Sequence, residues 1–73
     1  MRWHEKDGKV VARKERGYKA EIAPSVTSPG KFVVWVYRFY CKTAAVGFGK
    51  AVLGSVDECK VYAERAIAED NAA

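Results

Sequence analysis

Residues 32–40, Phe-Val-Val-Trp-Val-Tyr-Arg-Phe-Tyr, carry the strongest strand signal in the chain. Apart from Arg38, every residue of this stretch is β-branched or aromatic, a composition typical of strands. Alternation divides the stretch into two rows, one with Val33, Trp35, Tyr37 and Phe39 and the other with Phe32, Val34, Val36, Arg38 and Tyr40. Both rows are mainly apolar, although an antiparallel sheet covered on one side needs only one apolar row. We expect the row with Trp35 to face the core.

Shorter strands are predicted before this stretch. Residues 10–14 are β-rich, Gly17 permits a turn, and residues 18–23 alternate with period two, which together predict a hairpin. Trp3 and His4 add a short edge strand if the chain turns at Asp7-Gly8. Residues 24–30 contain two prolines, one glycine and three hydroxyl residues, which indicates a loop.

A further strand and a helix follow. Residues 45–53 alternate as a strand, and Gly47 and Gly49 leave space that we expect the Trp35 ring to fill. Ser55, with Glu58 three residues later, forms a capping box that begins a helix ending at about Asp70. The helix has one apolar stripe, composed of Val56, Cys59, Tyr62, Ala63, Ala66 and Ile67.

These elements predict one α+β domain over residues 1–73. Three to four antiparallel strands lie within residues 1–53 and pack one face against a single C-terminal helix at about 55–70. The opposite face of the sheet is then the candidate binding surface.

The charge is distributed unevenly along the chain. Residues 1–54 carry eleven lysines and arginines against four acidic residues, whereas residues 55–73 carry two against five. The sheet is therefore expected to be basic and the helix acidic, and such an asymmetry steers one face toward an anionic partner.

Several functional classes have no support in the sequence. No apolar run could span a membrane or serve as a signal peptide, so we expect a cytoplasmic protein with reduced thiols at Cys41 and Cys59; a disulfide between them is the alternative. His4 is the only histidine, and neither metal-ligand spacing nor a phosphate-binding loop is present. We therefore expect a binding protein that is not an enzyme and needs no cofactor or metal.

The favoured hypothesis is nucleic-acid binding through a basic, aromatic sheet face. Cations neutralise phosphates, and flat rings stack on bases. The candidate binding residues are Arg13, Lys14, Arg16, Lys19, Phe32, Arg38, Tyr40, Lys42 and Lys50.

Two segments carry a family resemblance. Residues 17–22, Gly-Tyr-Lys-Ala-Glu-Ile, followed by a Pro-containing turn and an aromatic strand, are similar to the second strand of plant-type AP2 domains. Leu53-Gly54 and residues 58–64 resemble the strand end and the Ala-rich helix of those domains. The resemblance implies a three-stranded sheet that reads DNA, as in integrase arm-binding domains, with Lys19 and Arg38 on the reading face. The chain differs from that pattern in its additional 45–53 strand and in Glu21.

The alternative hypothesis is a protein partner. An apolar open face bearing Phe32, Val34, Val36 and Tyr40 is typical of protein interfaces. The partner is then a second copy of the chain, or a host protein as for small phage-encoded inhibitors such as anti-CRISPR proteins, which the chain resembles in size and general character. Cations surrounding an exposed Tyr40 would favour nucleic acid, and a continuous apolar row with lysines at its rim would favour protein.

Overall fold

The computed structural model of the protein describes residues 2–14, 17–41 and 43–72. Its elements are β1 (Arg2–Lys6), β2 (Lys9–Lys14), β3 (Tyr18–Pro24), β4 (Phe32–Cys41), β5 (Ala44–Leu53) and α1 (Val56–Ala72). The strands form one antiparallel sheet in the order β1-β2-β3-β4-β5, and α1 packs across β3, β4 and β5. The α+β class and the C-terminal helix are confirmed. The sheet has five strands, so the prediction of three to four is wrong.

The additional strand is the N-terminal edge strand β1. It pairs with β2 through a two-residue turn, in which Asp7 and Gly8 have φ angles of 52° and 76° and Lys6 lies opposite Lys9. Two successive positive φ angles define the type I′ hairpin turn that Asp-Gly favours. Four of the five β1 residues are charged or histidine, so the strand propensity of β1 is low and its pairing with β2 determines its conformation.

The core lies between α1 and the middle strands. Ile22 on β3 and Val34 and Val36 on β4 are fully buried against Cys59 and Ala63 of the helix. The small helix side chains allow the helix backbone to lie close to the valines. Ile67 completes this contact one turn farther along α1.

The register of β3 and β4 reverses the expected orientation of β4. Ala20 lies opposite Val36 and Ile22 opposite Val34, so the row with Val34 and Val36 faces the helix. The prediction that Trp35 faces the core is therefore wrong. The physical reason is that Ala20 and Ile22 belong to the buried row of β3, so the β4 residues paired with them also face the helix. Valines at these positions let the helix approach more closely than large aromatic rings would.

The glycines of β5 accommodate rings other than that of Trp35. A Cβ atom on Gly47 would lie 3.6 Å from the Tyr37 ring, so that ring crosses β5 where a side chain is missing. A Cβ on Gly49, on the other face, would lie 3.2 Å from the Tyr62 hydroxyl. Trp35 lies opposite Lys50 instead.

The start of α1 follows the prediction for the Ser55 cap, whereas Glu58 bonds one residue farther back than the N-cap N–H of a capping box. The Glu58 backbone N–H donates to Ser55 Oγ at 3.2 Å, and the Glu58 carboxylate accepts from the Gly54 N–H at 2.9 Å. The helix extends to Ala72, two residues beyond the predicted end. Within the described part of the chain, no helix combines the length and the apolar character needed to cross a membrane.

The contact of α1 with the sheet is testable at Ile67, which is 1% exposed. Ile67→Ala should lower the free energy of unfolding by about 2–5 kcal/mol, because it deletes buried methyl groups and leaves a cavity. Val61→Ala, at a position 60% exposed on the same helix, should change it by less than about 0.5 kcal/mol. Urea unfolding followed by circular dichroism measures both, and equal effects would contradict this packing.

Candidate functional site

The sheet surface turned away from α1, called here the open face, carries a line of three aromatic rings. Trp35, Tyr37 and Phe39 occupy alternate positions of β4, and each is partly exposed. We call these three residues the aromatic column. The β3–β4 register places Glu21 beside Trp35 and Lys19 beside Tyr37.

Cations surround the aromatic column. Arg13 lies opposite Lys19, and Lys50 lies opposite Trp35 on the β5 side. The Arg13 guanidinium carbon is 5.6 Å from the centre of the Phe39 ring, and Lys19 Nζ is 5.9 Å from the centre of the Tyr37 ring. These distances are within the range of cation–π contact. Positive charge therefore lies directly beside the rings rather than at a distant rim.

The charges of the two layers are opposite in sign. The strand pairing places six lysines and arginines on the open face, namely Arg2, Lys6, Lys9, Arg13, Lys19 and Lys50. Among the described strand residues of that face, Glu21 is the only carboxylate, and its Oε1 lies 2.9 Å from Lys19 Nζ. Helix α1 carries five acidic residues against two basic ones. The field of the molecule therefore attracts anions to the open face.

The part of the open face formed by β1, β2 and β3 is concave. It encloses a cleft of about 360 Å³ lined by His4, Lys6, Asp7, Lys9, Val11, Arg13, Lys19 and Glu21. Four of these eight residues are lysine or arginine, and the cleft lies next to the aromatic column. Its chemistry suits an anionic group better than an apolar one.

Arg38 and Tyr40 belong to the opposite side of the sheet. The Arg38 guanidinium donates to both carboxylate oxygens of Asp70 on α1, at 3.1 and 3.2 Å, and to the Tyr40 hydroxyl at 2.9 Å. The Tyr18 hydroxyl donates to Asp70 Oδ2 at 2.7 Å. The hydrogen bond to Asp70, with burial, raises the pKa of Tyr18 above its usual value. This polar network connects β3 and β4 to the end of the helix.

The structure divides the predicted binding residues into three groups. Arg13, Lys19 and Lys50 lie on the open face. Phe32, Arg38 and Tyr40 belong to the row on the helix side, where the Arg38 guanidinium carbon lies 5.2 Å from the centre of the exposed Tyr40 ring. Tyr40 also lines a depression of about 500 Å³ with Arg13 and Phe39 at the Gly17 end of the sheet, so it lies near one open-face cation as well. The side chain of Lys14 lies outside the described part of the structure, as do Arg16 and Lys42.

Sequence reasoning missed the aromatic column as a surface feature. The sequence predicts the Trp35 row in the core because Gly47 and Gly49 leave space for an aromatic ring. A signal was nevertheless present: Ala20 and Ile22 of β3 form the apolar row, and their neighbours Lys19 and Glu21 are charged. Lys19 and Glu21 therefore indicate which face of β3 is open. The register that places Trp35 and Tyr37 beside them could not be derived from the sequence.

The two thiols are both free and differ in environment. Cys41 is exposed, and hydrogen bonds from Thr43 and the backbone of Ala44 lower its pKa. Cys59 is buried on the side of α1 that faces the sheet. Desolvation is the main cause that raises its pKa, and the negative charge of Glu58 adds to it. No three His, Cys, Asp or Glu side chains cluster as metal ligands would within residues 2–14, 17–41 and 43–72.

Comparison of the chain with protein-family models, with curated proteins and with solved structures gave no match. Function is therefore inferred from the geometry and charge of the open face.

The Tyr18–Asp70 hydrogen bond predicts a specific alkaline instability. The raised pKa of Tyr18 means that its contribution is fully present below pH 10.0, the ordinary value, and is lost as the pH rises through the folded value. We expect the urea midpoint of the wild type to fall more steeply above pH 10.0 than that of Tyr18→Phe. Asp70→Asn should flatten the curve in the same range, whereas parallel curves for all three proteins would refute the coupling.

The two cysteines should differ in reactivity. One thiol per molecule, Cys41, should react with Ellman's reagent at pH 7.5, because it is exposed and its pKa is lowered. Cys59 should react only on unfolding. Cys41→Ser should abolish the fast phase and Cys59→Ser should preserve it; two fast thiols in the wild type would contradict the burial of Cys59.

Proposed function

We propose that the protein is a non-catalytic, nucleic-acid-binding module that acts through the open face. The observation that carries this proposal is the position of a lysine or arginine beside each ring of the aromatic column. Lys50 is directly opposite Trp35, and Lys19 and Arg13 contact the rings of Tyr37 and Phe39. Cations neutralise phosphates and aromatic rings stack on bases. On this face each ring has a cation beside it, so one nucleotide can contact both.

The acidic helix supports the same proposal. The five carboxylates of α1 repel a polyanion, and the basic sheet attracts it. A nucleic acid that diffuses toward the protein is therefore steered to the open face. The cytoplasmic location expected from the sequence would bring such a module into contact with nucleic acids.

A protein partner is the second candidate, and one observation favours it. Val52, 44% exposed, lies opposite Val33 and extends the aromatic column into a continuous apolar strip along the open face. A second copy of the chain, or a host protein bound by an inhibitor of the anti-CRISPR kind, could cover that strip. We favour nucleic acid because the cations touch the rings, where an apolar partner would have to desolvate them.

The test compares the removal of two cations from the open face with the removal of two cations elsewhere on the protein. Arg13→Gln/Lys19→Gln removes two cations from the open face, and Lys31→Gln/Arg65→Gln removes two exposed cations elsewhere; no ion pair or cation–π contact involves Lys31 or Arg65 among the described residues. We expect the first variant to bind fluorescent random-sequence DNA less tightly, with the slope of log K against log salt shallower by roughly 1.4–1.8. The second should keep most of the affinity and the slope.

The outcomes separate the two candidates. If neither single-stranded nor duplex nucleic acid binds the wild type at low salt, the nucleic-acid proposal is wrong. Concentration-dependent dimerisation in light scattering, lost in Val52→Lys, would then identify the strip as a contact between copies.

A further inference from the structure

We infer that the open face binds a single strand rather than a duplex, with bases stacked on the aromatic column and phosphates held by the cations of β2 and β3. This inference rests on the proposed function and specifies its ligand. It is supported by the orientation of the rings, their spacing, the width of the sheet and the uneven placement of the cations.

The ring of Tyr37 is oriented for stacking. It lies 3.6 Å from the position of a missing Cβ on Gly47, so it extends sideways over the neighbouring strand instead of projecting outward. Trp35, Tyr37 and the two glycines help to line a shallow depression of about 410 Å³. A ring that lies along the sheet suits an unstacked base, whereas a side chain that wedges between paired bases must project. Lys19 Nζ lies over this ring, 5.9 Å from its centre, so stacking requires the flexible lysine to move toward a phosphate.

The spacing of the rings fits an extended strand. Residues two apart on β4 are separated by about 6.6–6.8 Å, since a strand rises about 3.3–3.4 Å per residue. Bases in a duplex follow one another at only about 3.4 Å. Successive bases of one strand can therefore occupy successive rings only after the strand has been pulled out of a helical stack to about twice its rise.

The width of the sheet argues against entry into a duplex groove. Five strands at about 4.8 Å spacing measure about 19 Å from β1 to β5. The major groove of B-DNA is about 12 Å wide. The aromatic column lies on β4, inside the sheet rather than at an edge, so its rings would not reach base edges at the floor of that groove.

The cations define on which side of the column the phosphates lie. Arg13, Lys19 and the basic cleft occupy the β1–β3 side, whereas Lys50 is the charged residue of β5. A single strand running along β4 would thus have its backbone over β2 and β3 and its bases turned toward β5. Cations and rings act on phosphates and bases, which DNA and RNA share, so oligo-dT and oligo-U are both used as probes.

Fluorescence of Trp35 gives a direct readout of stacking. Trp3, the only other tryptophan, lies on the helix side and donates to Glu64 at 3.1 Å, so Trp3→Phe leaves Trp35 as the single reporter. We expect dT12 and U12 to quench Trp35 on binding. A 12-base-pair duplex of mixed sequence should bind at least tenfold more weakly and cause little quenching.

Ring-removal variants test the column residue by residue. Trp35→Leu, Tyr37→Leu and Phe39→Leu should each weaken dT12 binding roughly five- to 150-fold, the range expected for loss of one stacked base. Tyr37→Phe retains the ring and should bind as the wild type does. Val61→Ala removes an apolar side chain that is 60% exposed on α1, on the opposite layer, and should leave affinity unchanged. Urea midpoints identify any variant that is unfolded, and such a variant is replaced by its Met counterpart, which also lacks the ring.

Each outcome bears on one of the two proposals. Duplex binding equal to or tighter than single-strand binding, with no effect of the ring variants, would overturn the single-strand inference and leave the proposed function intact. The absence of binding to any nucleic acid at low salt would overturn both. Tight dT12 binding without quenching of Trp35 would place the strand away from the column and overturn the inference as well.

Discussion

The register between β3 and β4 is the constraint on which the rest of the structure depends. It pairs Ile22 with Val34 and Ala20 with Val36, and this aliphatic row, free of aromatic rings, lets α1 approach closely enough to bury Cys59 and Ala63. A shift of one residue would turn the Trp35 row toward the helix and the valines outward. The helix could not then lie at the same distance, so one pairing decides both the core and the composition of the open face.

The polar network at the end of α1 reinforces that choice. Arg38 belongs to the same row as Val34 and Val36, so the correct register places a guanidinium beneath the last turns of the helix. Asp70 meets it there and also accepts from Tyr18, whereas Arg38 Nε is buried without a hydrogen-bond partner among the described residues. Arg38 can pair with Asp70 only in the observed register, so the ion pair favours this register over one shifted by a single residue.

Much of the fold could be predicted because local signals were strong. The Asp7-Gly8 turn, the Ser55 cap and the helix stripe each follow from short-range chemistry. The face of β4 could not be predicted, since both of its rows are apolar and the choice depends on pairing with a distant strand. The candidate site was affected by that error: the cations Arg13, Lys19 and Lys50 were identified, but they were associated with Arg38 and Tyr40 rather than with the aromatic column. The ligand itself stays a proposal.

The opposite charges of the two layers have a consequence for the behaviour of the protein in concentrated solution. A positively charged sheet and a negatively charged helix layer on the same small body make copies attract one another face to back, even though the net charge of +4 would suggest mutual repulsion. This attraction is screened within about 10 Å at 0.1 M salt. The protein should therefore be least soluble at low ionic strength, and a polyanion that covers the positive layer should restore its dispersion.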